Sequence, residues 1–332
     1  MPKSHSDKWP LVGKHSLLLD AQDRARRVAG FDLPVNIEGE TGRGKELLAR
    51  YIHEVSARAK GPFVIVDCGL LSTEMARSEL FGHVRGAFTG ASETRIGLVE
   101  AASGGTLFLD EVGELSPELQ LHLLRLVQEQ EFRRVGETQS RRANIRLITA
   151  THRNLPEMVK MGAFREDLFY RLNVVPLHLP PLRKRSSDLP LLIEHFCQLA
   201  KGIPRVFTQE AIVALSGYSW PGNVRELQHV VAKLLVMGEG DFIGVGDLPC
   251  EICGNEFEAD VFEQPFKKAR QEAIRKFIRE YLHRALMRTQ GNVSLAAEQC
   301  GIGRQYFQMR MAESGLRSRT YKRKRTDQVV AR

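Results

Sequence analysis

Gly39-Glu40-Thr41-Gly42-Arg43-Gly44-Lys45 carries the densest chemical signal in the chain. Glycines at these intervals let backbone N–H groups close around phosphate oxygens, and a lysine just after them reaches the terminal phosphates of a nucleotide. Position 46 is Glu46, where the usual phosphate loop has Ser or Thr to touch Mg2+. On these residues alone a glycine-rich structural turn therefore stays open. A second group narrows the choice. Leu107-Phe108-Leu109-Asp110-Glu111 reads as a buried strand ending in two carboxylates, 65 residues beyond Lys45. Asp110 is suited to hold Mg2+ through water, and Glu111 to polarise the water that attacks a γ-phosphate. Two acids after an apolar run could merely begin a turn, but behind a phosphate loop they read as the other half of a site for ATP and Mg2+.

Such groups need a scaffold that delivers loops to one edge. Residues 33–182 alternate short apolar runs with helical periodicity, the pattern of an α/β domain with a mostly parallel sheet. Leu33, Val35 and Ile37 alternate along a strand, and Leu48, Ile52 and Val55 mark one face of the helix after the phosphate loop. Pro62–Val66, Thr106–Leu109 and Ile145–Ala150 are continuous apolar runs, as expected of strands covered on both faces. After Pro180-Pro181 the strand signals stop. Leu192, Phe196 and Leu199 line one helix and Val224, Leu227, Val231 and Leu234 another, with Asn223 and Glu226 as its N-terminal cap. The expected division is an N-terminal tail over 1–10, an ATPase subdomain over 11–182 and an all-helical lid over 183–246. A linker over 247–265 and a DNA-binding unit with a basic tail over 266–332 complete it.

The chain has 332 residues, 42% of them hydrophobic and 27% charged, enough for two or three domains with their own cores. No apolar run approaches the length of a membrane span, and the first residues lack the apolar core of a secretory signal, so a cytoplasmic location with no membrane partner is expected. Five cysteines form no framework. Cys250 and Cys253 make one CxxC without the further ligands zinc needs, and read as linker residues. Charge is uneven. Residues 266–332 hold 17 Lys and Arg against 5 Asp and Glu, a net of +12, which leaves −4 on the rest of a chain whose total is +8. A basic segment on a mildly acidic body suits a polyanionic partner, although Lys322-Arg323-Lys324-Arg325 could equally be a solvated tail.

From about residue 10 to residue 317 the chain resembles the sigma-54-dependent transcription activators, the bacterial enhancer-binding proteins. Their AAA+ phosphate loop characteristically carries Glu where Glu46 stands. The strongest likeness is Gly86-Ala87-Phe88-Thr89-Gly90-Ala91, after Glu79-Leu80-Phe81-Gly82-His83. In the family this hexapeptide tips a loop that touches sigma-54 and promoter DNA; by itself it would pass for a small-residue turn holding one Phe. The resemblance makes Thr151 the first sensor, with His152 where many relatives have Asn. It makes Arg165 and Arg171 arginine fingers that act on a neighbouring subunit's ATP, where residue types alone would allow surface ion pairs. Trp220-Pro221-Gly222-Asn223-Val224-Arg225-Glu226-Leu227 resembles the lid motif, with Arg225 as second sensor. Relatives often have Asn where this chain has Asp67, a side chain thought to hold the catalytic glutamate away from the γ-phosphate. An ionised Asp67 cannot donate that hydrogen bond and would repel Glu111.

Gly291–Phe307 resembles the Fis-type helix-turn-helix that ends many of these activators. Ala296-Ala297 allows two helices to approach closely, and Gly301 suits the turn between them. Phe307, Met311 and Leu316 should face a core, leaving Arg304, Gln305, Tyr306, Gln308 and Arg310 for DNA. Ile274, Phe277, Ile278, Tyr281 and Leu282 give the preceding helix an apolar stripe expected to pair two such units. An αα-hairpin used only for dimer contacts is the alternative, and the local charge argues for DNA.

The fold expected is thus an AAA+ P-loop ATPase with a parallel sheet, a helical lid and a C-terminal helix-turn-helix. Its partners would be sigma-54 RNA polymerase, upstream enhancer DNA and further copies of itself in a ring, a hexamer by the family's habit. A protein unfoldase should lack both the hexapeptide and the helix-turn-helix; a DNA-bound repressor working without sigma-54 would typically degrade the hexapeptide. The ATPase motifs begin almost at once, near Gly13, so regulation is expected from a separate protein, from expression level or from a domain not included.

Overall fold

The computed structural model describes residues 11–70, 75–200, 205–238, 240–252, 265–289 and 291–316. Residues 1–10, Cys253, most of the expected linker and the Lys322–Arg325 run lie outside them. The chain divides into two compact units, Met1–Cys253 and Gly254–Arg332.

In the first unit five parallel strands form one sheet: β1 Val35–Glu38, β2 Phe63–Asp67, β3 Thr106–Asp110, β4 Arg146–Thr151 and β5 Val175–His178. Their order is β2-β3-β4-β1-β5. In the three central strands β1, β3 and β4 nearly every residue is buried, because helices cover both faces. Leu18, Ala25, Leu48, Ile52, Phe108 and Ile148 pack on one side, and Leu80, Leu107, Leu109, Leu123, Leu147 and Leu168 on the other. Registers place Asp67 beside Asp110 and Glu38 beside Thr151, so the phosphate loop and the segments after Asp67, Asp110 and Thr151 leave the same carboxyl edge.

Arg146 is an odd residue for a central strand, and its guanidinium is fully buried. It donates to the carbonyls of Val28 and Ala29 at 2.9 Å each, satisfying the C-terminus of the helix Ser16–Ala29.

Several local expectations change in the structure. Leu33 lies outside β1 and is exposed, and Val55 is the exposed C-cap of its helix rather than part of its buried face. Leu199, on the last turn of Leu189–Leu199, is exposed too. The lid is not all helical: Val206–Phe207 pairs in parallel with Phe242–Ile243, a ladder too short to leave a sequence period. The lid core takes in Leu248 and Ile252, within the stretch expected to be linker. Asn223 does not cap the helix Asn223–Met237; Gly222 holds that position, and the Asn223 side chain bonds elsewhere, as described below.

The second unit is a helical trio, Phe266–Arg288, Val293–Gln299 and Arg304–Glu313. Leu282, Leu286, Ala296, Ala297, Phe307 and Met311 form its core. Asn292 caps the middle helix by accepting from Leu295 N, and Gly301 turns with φ 66°.

Candidate functional site

β1 ends at Glu38, and the chain turns at once into the phosphate loop. Gly39 N donates to Thr151 O at 3.1 Å, tying the loop's root to the end of β4. Gly42 and Gly44 have φ of 80° and 96°, values that favour glycine. The helix Lys45–Glu54 starts directly behind, and no side chain caps it. Its first N–H groups are left for a ligand, and its dipole favours an anion there. Glu46 pairs outward with Arg50 at 2.8 Å, away from the loop.

Lys45 is 6% exposed. Its Nζ donates to Gly39 O and to Glu111 Oε1, both at 3.0 Å. Glu111 has a left-handed backbone, φ 52°, uncommon for a non-glycine residue and of the kind found where a side chain must be aimed. Its other oxygen, Oε2, accepts from the backbone N of His152 at 3.1 Å and from the His152 ring Nδ1 at 2.6 Å. Burial pushes the Glu111 carboxyl upward, but the bonds from His152 and Lys45 outweigh it and hold the group below its usual value. Glu111 is therefore an ionised carboxylate at neutral pH.

Asp110 behaves oppositely. Burial raises it, and the nearby Lys45 offsets this only in part. Asp110 nonetheless offers a hard carboxylate oxygen at the strand end next to the phosphate loop, the donor type that Mg2+ shared with phosphates takes, so the residues present fit that ion. No cluster of three or more His, Cys, Asp or Glu able to hold a metal alone occurs among the described residues. Cys250 is exposed.

Asp67 closes a small turn of its own, its Oδ1 accepting from Gly69 N at 2.9 Å. Glu111 is gripped by Lys45 and His152. The sequence offered His152 only as a mismatch at the sensor; its signal was the ring's Nδ1, which hangs from Cγ as the amide nitrogen of Asn does. Thr151 is buried, and its hydroxyl accepts from Arg153 N at 3.0 Å.

Arg165 is the N-cap of the short helix Glu166–Leu172 and Arg171 lies in its last turn; both are exposed. The buried Gln120 fixes the backbone before that helix: it donates to Leu115 O and Ala163 O and accepts from Arg165 N at 2.9 Å. Among the described residues the Arg165 guanidinium meets only Asp167, at 2.7 Å, an exposed pair that a stronger anion would displace readily.

The hexapeptide forms a tight, exposed loop. Gly86 N donates to Ala91 O at 2.9 Å and Ala91 N to Phe88 O at 3.0 Å; Gly86 and Gly90 have φ of 79° and 104°. Phe88, 38% exposed, lies edge-on to the His83 ring with centroids 5.0 Å apart, and His83 Nδ1 sits 2.7 Å from Ser78 Oγ. A neighbouring hairpin, Glu131–Phe132 paired with Arg141–Arg142, braces the loop's stem through Val84 N to Val135 O at 3.1 Å and Val135 N to Gly82 O at 2.8 Å. The sequence reading missed this hairpin, whose two-residue strands carry no periodicity.

In the lid, buried Trp220 donates from Nε1 to Leu215 O at 2.9 Å and fixes the turn before the helix. Arg225 follows on the first turn, with its backbone N 3.3 Å from Gly42 O. In the second unit Arg304, Gln305, Tyr306 and Gln308 are all exposed on their helix. Arg310 is tied to Tyr306 Oη at 3.0 Å and to Glu313 at 2.9 Å.

Comparison with known proteins agrees with this geometry. Residues 11–178 match the family described as the Sigma-54 interaction domain, and residues 183–264 match the AAA+ ATPase lid domain. The regulatory protein ZraR of Salmonella typhimurium is 40% identical over 312 residues, covering 92% of this chain and 68% of the relative. AtoC of Escherichia coli is 42% identical, with 94% and 69% covered. Among solved structures, NtrX from Brucella abortus in complex with ATP superimposes with a TM-score of 0.68 at 37% identity, covering 92% of this chain and 69% of that one.

Proposed function

The chain belongs to the sigma-54-dependent transcriptional regulators, with their AAA+ ATPase domain, and from that premise we propose that it binds enhancer DNA upstream of a promoter and uses ATP hydrolysis in a homo-oligomeric ring, a hexamer, to convert the closed complex of sigma-54 RNA polymerase into the open one. The observation that carries the reading is Phe88, a large apolar side chain on an exposed loop in the same domain as a complete phosphate site.

The chemistry follows from the grip on Glu111. ATP phosphates offer Lys45 a stronger partner than one carboxylate, so Lys45 turns to them and releases Oε1. Glu111, still held at Oε2 by His152, then faces the attacking water with a free oxygen and takes its proton. Asp110 would hold Mg2+, and the ion would supply charge neutralisation at the phosphate oxygens. Thr151 and Arg225 would act as the two sensors of the same phosphates. Arg165 and Arg171 lie on the outer surface, where a neighbouring subunit's γ-phosphate can meet them. No helix among the described residues is long and apolar enough to cross a membrane.

The direct test is promoter opening on a sigma-54 template with an upstream site. The chain should open it with ATP and fail with a non-hydrolysable analogue. A chain ended at residue 252 should keep its ATPase yet lose site-specific footprinting, and binding by the intact chain should fall steeply as salt rises. A footprint retained by the shortened chain would move DNA recognition out of residues 266–332.

Arg165→Ala and Arg171→Ala should each bind ATP and lose turnover by about a hundredfold or more, because the charge they neutralise belongs to a neighbour's site. Mixing either with Glu111→Gln subunits should restore part of the activity at interfaces where an intact finger meets an intact base. No recovery at any ratio would exclude action in trans.

A further inference from the structure

One carboxylate fastens the phosphate loop to the lid. Arg183, in the first turn of the lid at Leu182–Lys184, donates Nη1 to Glu40 Oε2 at 2.8 Å and Nη2 to Oε1 at 2.6 Å. Arg43 pairs with Oε1 at 2.6 Å, and Asn223 Nδ2 donates to Oε2 at 3.1 Å. Asn223 is fully buried with φ 54°, a left-handed backbone in which it also donates to Thr41 O at 3.1 Å and accepts from Leu182 N at 3.0 Å. Beside it, Val224 N and Arg225 N donate to Gly42 O at 3.0 and 3.3 Å. A side chain at Gly42 would strike Gly222 O at 2.2 Å, so loop and lid backbones meet with no room between them. Two segments of the lid, the turn at Leu182–Lys184 and residues Asn223–Arg225 of the lid motif, thus grip residues 40–42 of the loop.

The grip also reaches the catalytic pair. Lys45 holds Gly39 O, one residue before Glu40, and holds Glu111 with the same ammonium group. When Lys45 moves to phosphate it releases the peptide next to Glu40. Any shift of that peptide is transmitted through Glu40 to Arg183 and Asn223, on two separate segments of the lid. An ordinary exposed ion pair would have no such consequence, since it would be worth little and touch nothing that moves. Bonds from Arg183, and secondarily from Asn223, bring the Glu40 carboxyl down to about 2 although burial opposes them, so the contact stays charged at any neutral or mildly acidic pH.

We propose that Glu40 is a latch between phosphate loop and lid, a positioning residue that sets the lid angle from which Arg225 addresses bound nucleotide. This rests on the ATPase reading of the site.

The test uses the full chain with Glu40→Gln, which keeps the shape and one acceptor but removes the charge. Three quantities are measured: ATP affinity with a fluorescent analogue, kcat, and amide exchange over residues 223–237 with and without ATP. The expected result is affinity within about threefold of the parent, kcat lower by about tenfold, and an exchange response to ATP that disappears. Arg183→Lys, which keeps charge outside the loop but loses the two-pronged fit, should give the same pattern in weaker form and serves if Glu40→Gln is unstable. Combining the two should be no worse than the stronger single change, because both break one link. Parental kcat and exchange response in both variants, or losses that multiply in the double variant, would overturn the latch. So would a parent chain that binds ATP without any exchange response at 223–237. A parent chain that binds no ATP at all would instead remove the nucleotide site itself, and the latch with it.

Discussion

Glu111→Gln should bind ATP with near-parental affinity and lose turnover by about 10²- to 10⁴-fold, the usual worth of a positioned general base. The amide keeps the size of the carboxylate but cannot accept the water's proton. Lys45→Ala should fail one step earlier, because the phosphates lose the buried ammonium that neutralises them. The two variants separate because the Lys45–Glu111 contact, 3.0 Å long, ties together two tasks that ATP pulls apart. Glu111→Gln also frees Lys45 from its charged partner, so affinity for ATP should stay level or rise slightly. Fluorescent-nucleotide titration and phosphate release under saturating ATP measure the two quantities. Parental turnover by Glu111→Gln would remove Glu111 from the role of base, and tight ATP binding by Lys45→Ala would move the phosphates elsewhere.

The parts of this site that were legible in the sequence share one property: their chemistry is local. A phosphate loop needs its glycines and lysine in consecutive positions, and two carboxylates end one buried strand. The parallel sheet was legible for a related reason, since runs such as Leu107–Leu109 can be buried on both faces only in that setting. The unread parts depend on partners far away in the chain. His152 looked like an irregular sensor until it stood 2.6 Å from Glu111, 41 residues earlier. Asn223, followed by Glu226 at capping spacing, pointed to a helix start, yet its amide reaches Thr41, 182 residues away. The local rule for capping was sound, and a stronger demand outweighed it. The buried N–H of Leu182 would have lacked its partner had Asn223 turned to its own helix. Arg146 would count against a central strand by pattern alone; only the helix end above it, at Val28 and Ala29, shows why it is there. Two-residue strands such as Phe242–Ile243 are too short for any period to appear.

Phe88→Ala and Thr89→Ala should leave ATP binding and ring assembly close to parental, since neither side chain touches the phosphate site, and should abolish sigma-54 capture and promoter opening. The loop is built to present one ring. Gly86 and Gly90 meet nothing within 4 Å of where their side chains would stand, and the remaining residues are small. Phe88 is already part-covered by His83, so only its remaining exposed face is available to a partner. Burying that face is worth about 1–2 kcal/mol, a change of about five- to thirtyfold in occupancy for each subunit engaged. Several loops presented together by a ring would multiply the loss. Thr89 adds a hydroxyl and a stiff β-branched side chain at the tip, and its removal should cost less in affinity but still disturb the loop's shape. His83→Ala provides an internal control: it releases Phe88 from its only ring contact among the described residues, so Phe88 becomes more exposed and less fixed while its contact surface survives. Sigma-54 retention is measured with ADP and aluminium fluoride in place of hydrolysing ATP. The parent should retain sigma-54, the Phe88 and Thr89 variants should not, and His83→Ala should fall between them. If all four proteins hold sigma-54 equally, the hexapeptide is only a turn, and a DNA-bound ATPase that works without sigma-54 becomes the better account of this chain.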